Sequence, residues 1–147
     1  MNLLISACLM GIKCRYDGKQ KKIPELDRLM ESYVLIPVCP EVLGGLSTPR
    51  VPSERRGEAV VTRDGRDVTE NYRRGARESL RICQMTHTDC ALLKERSPSC
   101  GFGSIYDGTF TGTLCPGDGV CAALLKQHGV RVYGESQVTE LLKKADE

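Results

Sequence analysis

Four short apolar runs, at residues 3–8, 34–38, 90–94 and 130–133, predict β-strands that are buried on both faces. Amphipathic stretches of helical period separate most of them, and strands joined by helical crossovers run parallel. The pattern predicts an α/β fold: a three-layer sandwich with a central, mainly parallel sheet and helices on both faces, of Rossmann-like type. With 147 residues in the chain, we expect a single domain over residues 1–147.

Apolar residues at helical spacing predict four helices: residues 23–30, a helix starting at Thr69, residues 120–128 and residues 137–144. In the first helix, Leu26, Leu29 and Met30 should face the core. The Thr69 hydroxyl should cap the second helix, and Gly129 should end the third in a left-handed conformation. The first N–H groups of the third helix are expected to be free to bind an anionic or carbonyl oxygen.

The connections between these elements have their own signals. Asp64-Gly65 supplies the turn of a predicted β-hairpin that pairs residues 58–63 with residues 66–68. Residues 39–54 form a long loop stiffened by prolines, and such loops usually serve a site. Residues 104–113 are rich in glycine and threonine, and we expect them to cover the crevice above the sheet as a loop or hairpin.

Composition narrows the class of protein. The formal net charge of +2, from 21 basic and 19 acidic residues, argues against general attraction to nucleic acid or a membrane. Without a secretory signal or an apolar run of about 20 residues, we expect a cytoplasmic protein with reduced thiols. Eight cysteines in that setting indicate metal binding or redox chemistry rather than disulfides. The oligomeric state does not follow from the sequence.

Three cysteines follow the three central strands. Cys8 and Cys39 each close an apolar run, and Cys100 follows the third run within the segment Ser97-Pro98-Ser99-Cys100-Gly101. Small polar residues add little to a core, so this segment is predicted to be the floor of an active site. Since the carboxyl ends of parallel strands meet at one crevice, the three thiols are expected to converge. The sequence contains no Cys-x-x-Cys pair, and this absence argues against a zinc ribbon or a ferredoxin-type cluster. Thiolates from three strand ends could still hold a cubane cluster with one iron left free.

The other five cysteines are assigned by their positions. Cys14 lies six residues after Cys8, a wider spacing than the Cys-x-x-Cys of redox pairs, and Cys115 is a possible fourth thiol. Beside Cys14, Arg15 and Asp17 could form a surface ion pair, or Arg15 could line the crevice and hold an anion. The remaining three are expected to be structural: Cys83, Cys90 and Cys121.

Charged residues near the strand ends are candidates for chemistry. Glu41 could act as a general base or be an ordinary carboxylate at a helix start. Arg50 could hold a substrate oxygen or pair with Glu54. Lys94 could orient a substrate or extend its amine to solvent from the strand end.

Three blocks of sequence resemble the bacterial domain-of-unknown-function 523 family, whose characterised members include a thiouracil desulfidase. The blocks are Ser6-Ala7-Cys8-Leu9 with Cys14-Arg15-Tyr16-Asp17-Gly18, Cys39-Pro40-Glu41 with Gly44-Gly45-Leu46 and Thr48-Pro49-Arg50, and Ser97-Pro98-Ser99-Cys100-Gly101. They occur in the family's order and span nearly the whole chain.

The resemblance implies a [4Fe-4S] cluster held by three cysteines, which map to Cys8, Cys39 and Cys100, with Cys14 as the alternative ligand. It also implies non-redox removal of sulfur from a thiolated pyrimidine such as 2-thiouracil, giving the oxo form and hydrogen sulfide.

On this interpretation Glu41 activates water and Ser97 supplies a proton to the departing sulfur. The candidate substrate-binding residues are Arg15, Arg50, Lys94 and Ser99. The substrate is a small thiolated nucleobase, with neither nucleic acid nor membrane as a partner. Two other hypotheses stay open: a cluster-bearing binding or regulatory module without turnover, and a zinc or dithiol enzyme.

Overall fold

The computed structural model describes residues 1–147. The strands are β1 (Asn2–Ser6), β2 (Val34–Val38), β3 (Ser53–Arg56), β4 (Ala59–Thr62), β5 (Cys90–Leu93), β6 (Ser104–Tyr106), β7 (Leu114–Pro116) and β8 (Arg131–Gly134). The α-helices are α1 (Leu26–Ser32), α2 (Pro40–Leu43), α3 (Thr69–Met85), α4 (Val120–Gln127) and α5 (Val138–Ala145). Two 3-10 helices, Ala7–Met10 and Glu135–Gln137, follow β1 and β8.

The central sheet has the strand order β2-β1-β5-β8, and every pair in it is parallel. The predicted α/β fold with a parallel sheet and flanking helices is therefore confirmed. The two antiparallel pairs, β3–β4 and β6–β7, form separate two-stranded sheets. No helix combines the length and the apolar character needed to cross a membrane.

The alternation of side chains along β1 divides the core into two layers. Leu3 and Ile5 pack with α1 and α5 on one face of the sheet. Leu4 packs with α3 and α4 on the opposite face. All three leucine and isoleucine side chains are completely buried, and each such burial stabilises the fold by about 2 kcal/mol. Burial on both faces explains why the two inner strands, β1 and β5, are almost wholly apolar, whereas the edge strands β2 and β8 are partly exposed.

Two details of the predicted helices are wrong. Met30 is 56% exposed, because α1 begins only at Leu26 and turns just Leu26 and Leu29 toward the sheet. Helix α3 does begin at Thr69, but the Thr69 hydroxyl does not cap it. That oxygen instead accepts the N–H of Val60 at 2.9 Å, which ties the helix start to β4. Gly129 has the predicted left-handed conformation, with φ of 83°.

The predicted β-hairpin of residues 58–63 with residues 66–68 is present only in short form, with the N–H of Val68 donating to Val60 O at 2.9 Å. The prediction missed a longer pairing. Strand β4 pairs with β3, which precedes it, through a two-residue turn at Gly57-Glu58. The Asp64-Gly65 turn is present, with Gly65 at φ of 89°, but beyond it only one bridge forms, between Val61 and Asp67. The chain leaves for α3 immediately afterwards, so a second arm has no length in which to develop. The loop at 39–54 is likewise shorter than expected, because it contains α2 and the start of β3.

Helix α3 approaches α2 so closely that only glycine fits at the contact. A Cβ added at Gly75 would lie 1.8 Å from the carbonyl oxygen of Pro40, which is backbone and has little room to move. Pro40 stands between Cys39 and Glu41, so this contact fixes the depth at which the segment after β2 sits.

We predict that Gly75→Ala lowers the free energy of unfolding by about 3 kcal/mol, because the methyl group overlaps the backbone of α2. An alanine in the middle of a helix would otherwise stabilise it by about 1 kcal/mol. Urea unfolding measures the change, with Arg74→Ala at the exposed neighbouring position as the control. An increase in stability for Gly75→Ala would contradict the close contact.

Candidate active site

A cavity of about 470 Å³ opens at the carboxyl ends of β1, β2 and β5. The structure brings every predicted site residue to its lining: Cys8, Cys14, Arg15, Cys39, Glu41, Arg50, Lys94, Ser97, Ser99 and Cys100. The convergence inferred from the strand endings is therefore present. The roles assigned to these residues stay predictions.

The thiols of the cavity come from three separate loops. Cys8 lies in the 3-10 helix after β1, Cys39 directly precedes α2, and Cys100 lies in the turn after β5. Cys8, Cys14 and Cys100 are buried, whereas Cys39 is half-buried. All eight cysteines are free thiols. No group of three or more His, Cys, Asp or Glu side chains is arranged to hold a single metal ion.

The environment of these thiols shifts their protonation in different directions. Burial raises the pKa of Cys8 to about 11 and raises the pKa of Cys100 well above its ordinary value. A hydrogen bond between the side chains of Cys14 and Cys39 lowers the pKa of Cys39 and raises that of Cys14. Cys39 is therefore the thiol of that pair that more readily carries negative charge.

The remaining cysteines lie away from the cavity. Cys83 and Cys121 are buried in the core between α3, α4 and the sheet. Cys90 lies at the amino end of β5, where its thiol contacts the carbonyl oxygen of Asn2. Cys115 lies on β7 and does not line the cavity.

The carboxylate of Glu41 is held from two sides. Arg50 Nε donates to Glu41 Oε1 at 3.1 Å, and Ser99 Oγ donates to Glu41 Oε2 at 2.8 Å. The side chains of Glu41 and Arg50 are only 14% and 8% exposed. Glu41 is in the first turn of α2, so its position is that of a helix-start carboxylate although its side chain faces the cavity.

Arg50 connects the loop after β2 to the loop after β1. Its Nη2 donates to the carbonyl oxygen of Cys14 at 3.0 Å, and its Nη1 donates to Ser47 O and Thr48 Oγ1. The predicted alternative, a pair with Glu54, is wrong because Glu54 Oε1 instead accepts backbone N–H groups of the β6–β7 hairpin.

The hydroxyls of Ser97 and Ser99 extend the network toward Cys100. Their oxygens are 2.9 Å apart, and Ser99 Oγ lies 3.6 Å from the Cys100 sulfur. Ser97 Oγ also accepts the N–H groups of Ser99 and Cys100 at 3.1 and 3.0 Å. Because Ser99 donates to Glu41, the proton between the two serines belongs to Ser97. Ser97, Ser99 and Glu41 therefore form a continuous chain of hydrogen bonds.

Helix α4 positions the turn that carries Cys100. The N–H of Val120 donates to Pro98 O at 2.8 Å, and those of Cys121 and Ala122 donate to Ser99 O. The expectation that these N–H groups are free for a ligand is therefore wrong. They satisfy carbonyls of the loop instead, which holds that loop against the helix start.

Two cations border the thiols. Lys94 Nζ pairs with Glu135 Oε1 at 3.1 Å. Arg15 Nε lies 3.4 Å from Asp17 Oδ1, yet it is buried and forms no hydrogen bond. Both predicted environments of Arg15 thus apply, since it pairs with Asp17 and lines the cavity.

Sequence reasoning did not single out three residues of this site. Glu135 Oε1 accepts hydrogen bonds from Lys94 Nζ at 3.1 Å and from the backbone N–H of Glu95 at 2.6 Å. A signal for it existed, because Glu135 lies two residues after the fourth apolar run. Tyr72 and Phe110 also line the cavity, from α3 and from the tip of the β6–β7 hairpin. Phe110 belongs to residues 104–113, which were expected to cover the crevice, but no pattern in the sequence marks its side chain or that of Tyr72 as part of the lining.

Comparison with known proteins identifies the family. The model of the 2-thiouracil desulfurase family matches residues 3–137. The chain belongs to the 2-thiouracil desulfurase family. The predicted family resemblance is thereby confirmed.

Two relatives of this desulfurase-family chain extend the comparison. A solved structure, the [4Fe-4S]-dependent thiouracil desulfidase TudS (DUF523), is 47% identical, with a TM-score of 0.94 over 99% of this chain and 97% of that one. The protein YbbK of Bacillus subtilis (strain 168) is 43% identical over 150 residues, which covers 95% of this chain and 99% of YbbK.

For this desulfurase-family chain we predict that Arg50→Met lowers the free energy of unfolding by about 3 kcal/mol, because it leaves the Glu41 carboxylate buried without its cation. Denaturant unfolding under anaerobic, reducing conditions measures the loss. Arg66→Met is the matched control: its pair with Asp64 is 66% and 54% exposed, so it should change stability by less than about 1 kcal/mol. Equal losses of unfolding free energy for Arg50→Met and Arg66→Met would contradict a stabilising pair between Arg50 and Glu41.

Proposed function

We propose that this protein hydrolyses 2-thiouracil or a closely similar thiolated pyrimidine to the oxo form and hydrogen sulfide, with a [4Fe-4S] cluster bound by Cys8, Cys39 and Cys100. One water is consumed, its oxygen replaces the sulfur on the ring carbon, and no electrons are exchanged. The observation that carries the proposal is the cavity in which these thiols and the Glu41 carboxylate meet. Family membership and the likeness to TudS support the substrate and the cluster.

The residues of the cavity fit a cluster of this kind. Thiolates are the usual protein ligands of iron–sulfur clusters, and three loops bring one cysteine each. Arg15 and Lys94 add positive charge beside Cys8, which suits an anionic group. When bound, the cluster supplies a Lewis acid toward the thiocarbonyl sulfur.

Glu41 is the proposed general base. Its two oxygens each accept one hydrogen bond, from Arg50 and Ser99, and a carboxylate has acceptor capacity for further bonds. Water that donates to Glu41 is therefore oriented and deprotonated as its oxygen attacks the ring carbon. Arg50 stabilises the ionised carboxylate and fixes its orientation.

The two serines are proposed to return that proton to the departing sulfur. Once Glu41 has taken the proton, both hydroxyls turn, so that Glu41 donates to Ser99 and Ser99 donates to Ser97. The proton then passes along the contacts of 2.8 and 2.9 Å. Ser97 gives its own proton to the sulfur, which leaves as hydrosulfide. The second proton of the water leaves the oxygen as the ring carbonyl forms, and its uptake by hydrosulfide completes hydrogen sulfide. Ser99 is 1% exposed, so it acts as a relay, although it was predicted to bind substrate. Arg15, Lys94 and Arg50 remain the proposed electrostatic contacts to substrate.

An anaerobic single-turnover assay with 2-thiouracil tests this function. Release of sulfide with formation of uracil, in amounts equal to the enzyme's cluster content, is the expected result. Tight binding without release of sulfide would reject turnover and favour a cluster-bearing binding module. Brown colour with about four irons per chain separates the cluster from a zinc or dithiol enzyme.

We predict that Cys8→Ala, Cys39→Ala and Cys100→Ala each lose the cluster, because two remaining thiolates hold it poorly. Anaerobic iron and sulfide analysis measures the loss. Cys83→Ala is the control, since that thiol is buried like those of Cys8 and Cys100 but belongs to the core, and it should retain the cluster. If Cys8→Ala kept its iron and Cys14→Ala lost it, Cys14 would replace Cys8 as the ligand.

We predict that Glu41→Gln retains iron and lowers kcat by at least about 100-fold, because the amide cannot accept the proton of the attacking water. The amide has nearly the same size and can keep the hydrogen bond from Ser99. Sulfide release and iron content are measured on the same preparation. Wild-type turnover in Glu41→Gln would remove Glu41 from the reaction.

A further inference from the structure

Three aromatic side chains line the cavity without belonging to a cluster of the core: Tyr16, Tyr106 and Phe110. Of these, only Phe110 is wholly apolar. In the tip of the β6–β7 hairpin, residues 107–113, Phe110 is the only large apolar residue, and its neighbours are small or polar. Phe110 is half-buried and lines the cavity, but it belongs to none of the three apolar clusters of the core. Phe102, the only other phenylalanine, packs against the cluster between the sheet and α3 and α4.

The backbone at Phe110 is held in an unfavourable conformation. Its φ is 58°, in the left-handed region, which costs a residue with a Cβ about 1 kcal/mol. Glu54 Oε1 accepts the N–H groups of both Gly108 and Phe110, at 2.9 and 3.1 Å, and so fixes the tip to β3. Arg56 Nε also donates to Gly108 O at 2.7 Å. The tip is therefore tied down at several points in the conformation that turns Phe110 to the cavity.

Cations orient the ring. The guanidinium carbons of Arg56 and Arg63 lie 6.0 and 5.7 Å from its centroid, and neither arginine pairs with an acid. Arg63 itself lines the cavity. Contacts of this kind contribute about 0.5–1 kcal/mol each at exposed sites, enough to favour one orientation of the ring.

A flat aromatic face at the rim of a cavity suits a flat aromatic ligand. Stacking of a base on an aromatic side chain contributes about 1–3 kcal/mol and needs no hydrogen bond. The inner end of the cavity is already occupied by thiols, hydroxyls and the Glu41 carboxylate. Ring recognition therefore falls to the outer wall.

We propose that Phe110 determines specificity: it stacks on the planar ring of the substrate and selects cyclic thiocarbonyl compounds over acyclic ones. The inference deepens the proposed function and rests on it for the identity of the ring. Glu54 is the residue that positions Phe110.

The absence of tryptophan makes a direct test possible. Phe110→Trp places the only indole of the protein at the proposed contact, and Phe102→Trp is the matched control outside the cavity. Anaerobic holoprotein is titrated with 2-thiouracil, with uracil and with thiourea. We expect 2-thiouracil and uracil to reduce the tryptophan fluorescence of Phe110→Trp in a saturable manner, and we expect thiourea not to do so. Phe102→Trp should show only attenuation proportional to ligand absorbance.

Kinetics provide a second, independent measurement. Phe110→Ala should raise KM for 2-thiouracil about 10-fold with kcat nearly unchanged, and Phe110→Tyr should restore KM. Iron content should stay at the wild-type value, since Phe110 is outside the core, and the melting temperature should fall by only a few degrees, the loss expected from its two cation–π contacts. Phe102→Ala should leave KM unchanged.

The outcomes separate this inference from the proposed function. If the enzyme is active but Phe110→Trp shows no saturable change in fluorescence, or Phe110→Ala has the wild-type KM, the stacking contact alone is overturned. A saturable signal in a protein that releases no sulfide would overturn the proposed function and keep the stacking contact.

Discussion

The pair formed by Glu41 and Arg50 is the interaction on which the geometry of the site depends. Arg50 reaches the Cys14 carbonyl after β1, Glu41 belongs to the loop after β2, and Ser99 joins them from the loop after β5. One ion pair thus links the three loops that carry the cavity thiols. Because both side chains are largely removed from water, the charge of one is balanced only by the other. The hydrogen bonds that hold the three loops together are therefore the same ones that orient the Glu41 carboxylate in the cavity.

Close contacts between backbones set the depth of the cysteine loops. Gly75 lets α3 rest against Pro40, and a Cβ at Gly119 would lie 2.4 Å from the backbone of Ser99. The N–H groups at the start of α4 donate hydrogen bonds to the carbonyl oxygens of Pro98 and Ser99. Both loops are thus supported by helices on the same face of the sheet. Thiols held at fixed positions need no large rearrangement to receive a cluster, which is the advantage of a preorganised site.

The cavity is chemically divided along its depth. Thiols, hydroxyls and a clamped carboxylate occupy the inner end, where proton transfer and carbon–sulfur cleavage are proposed. The outer end is aromatic and basic, and it comes from the two small antiparallel sheets rather than from the central one. The parallel sheet therefore supplies reactive groups, while the hairpins supply the surface that meets the rest of the ligand. Such a division allows recognition to vary without disturbing the reacting groups.

Three results follow from the sequence alone: the parallel sheet, from apolar runs joined by helical stretches; the family, from three blocks of sequence; and the meeting of Cys8, Cys39 and Cys100 at one cavity. The last holds because the carboxyl ends of parallel strands lie at one edge of a sheet. The partners, by contrast, became known from the packed fold: Arg50 pairs with Glu41 rather than Glu54, β4 pairs with β3, and the N–H groups of α4 bind loop carbonyls. The packed fold also decided which loop residues face the cavity, Phe110 among them. Strand endings follow from local pattern and chain direction. Pairings between distant loops depend on distances that exist only once the layers have packed.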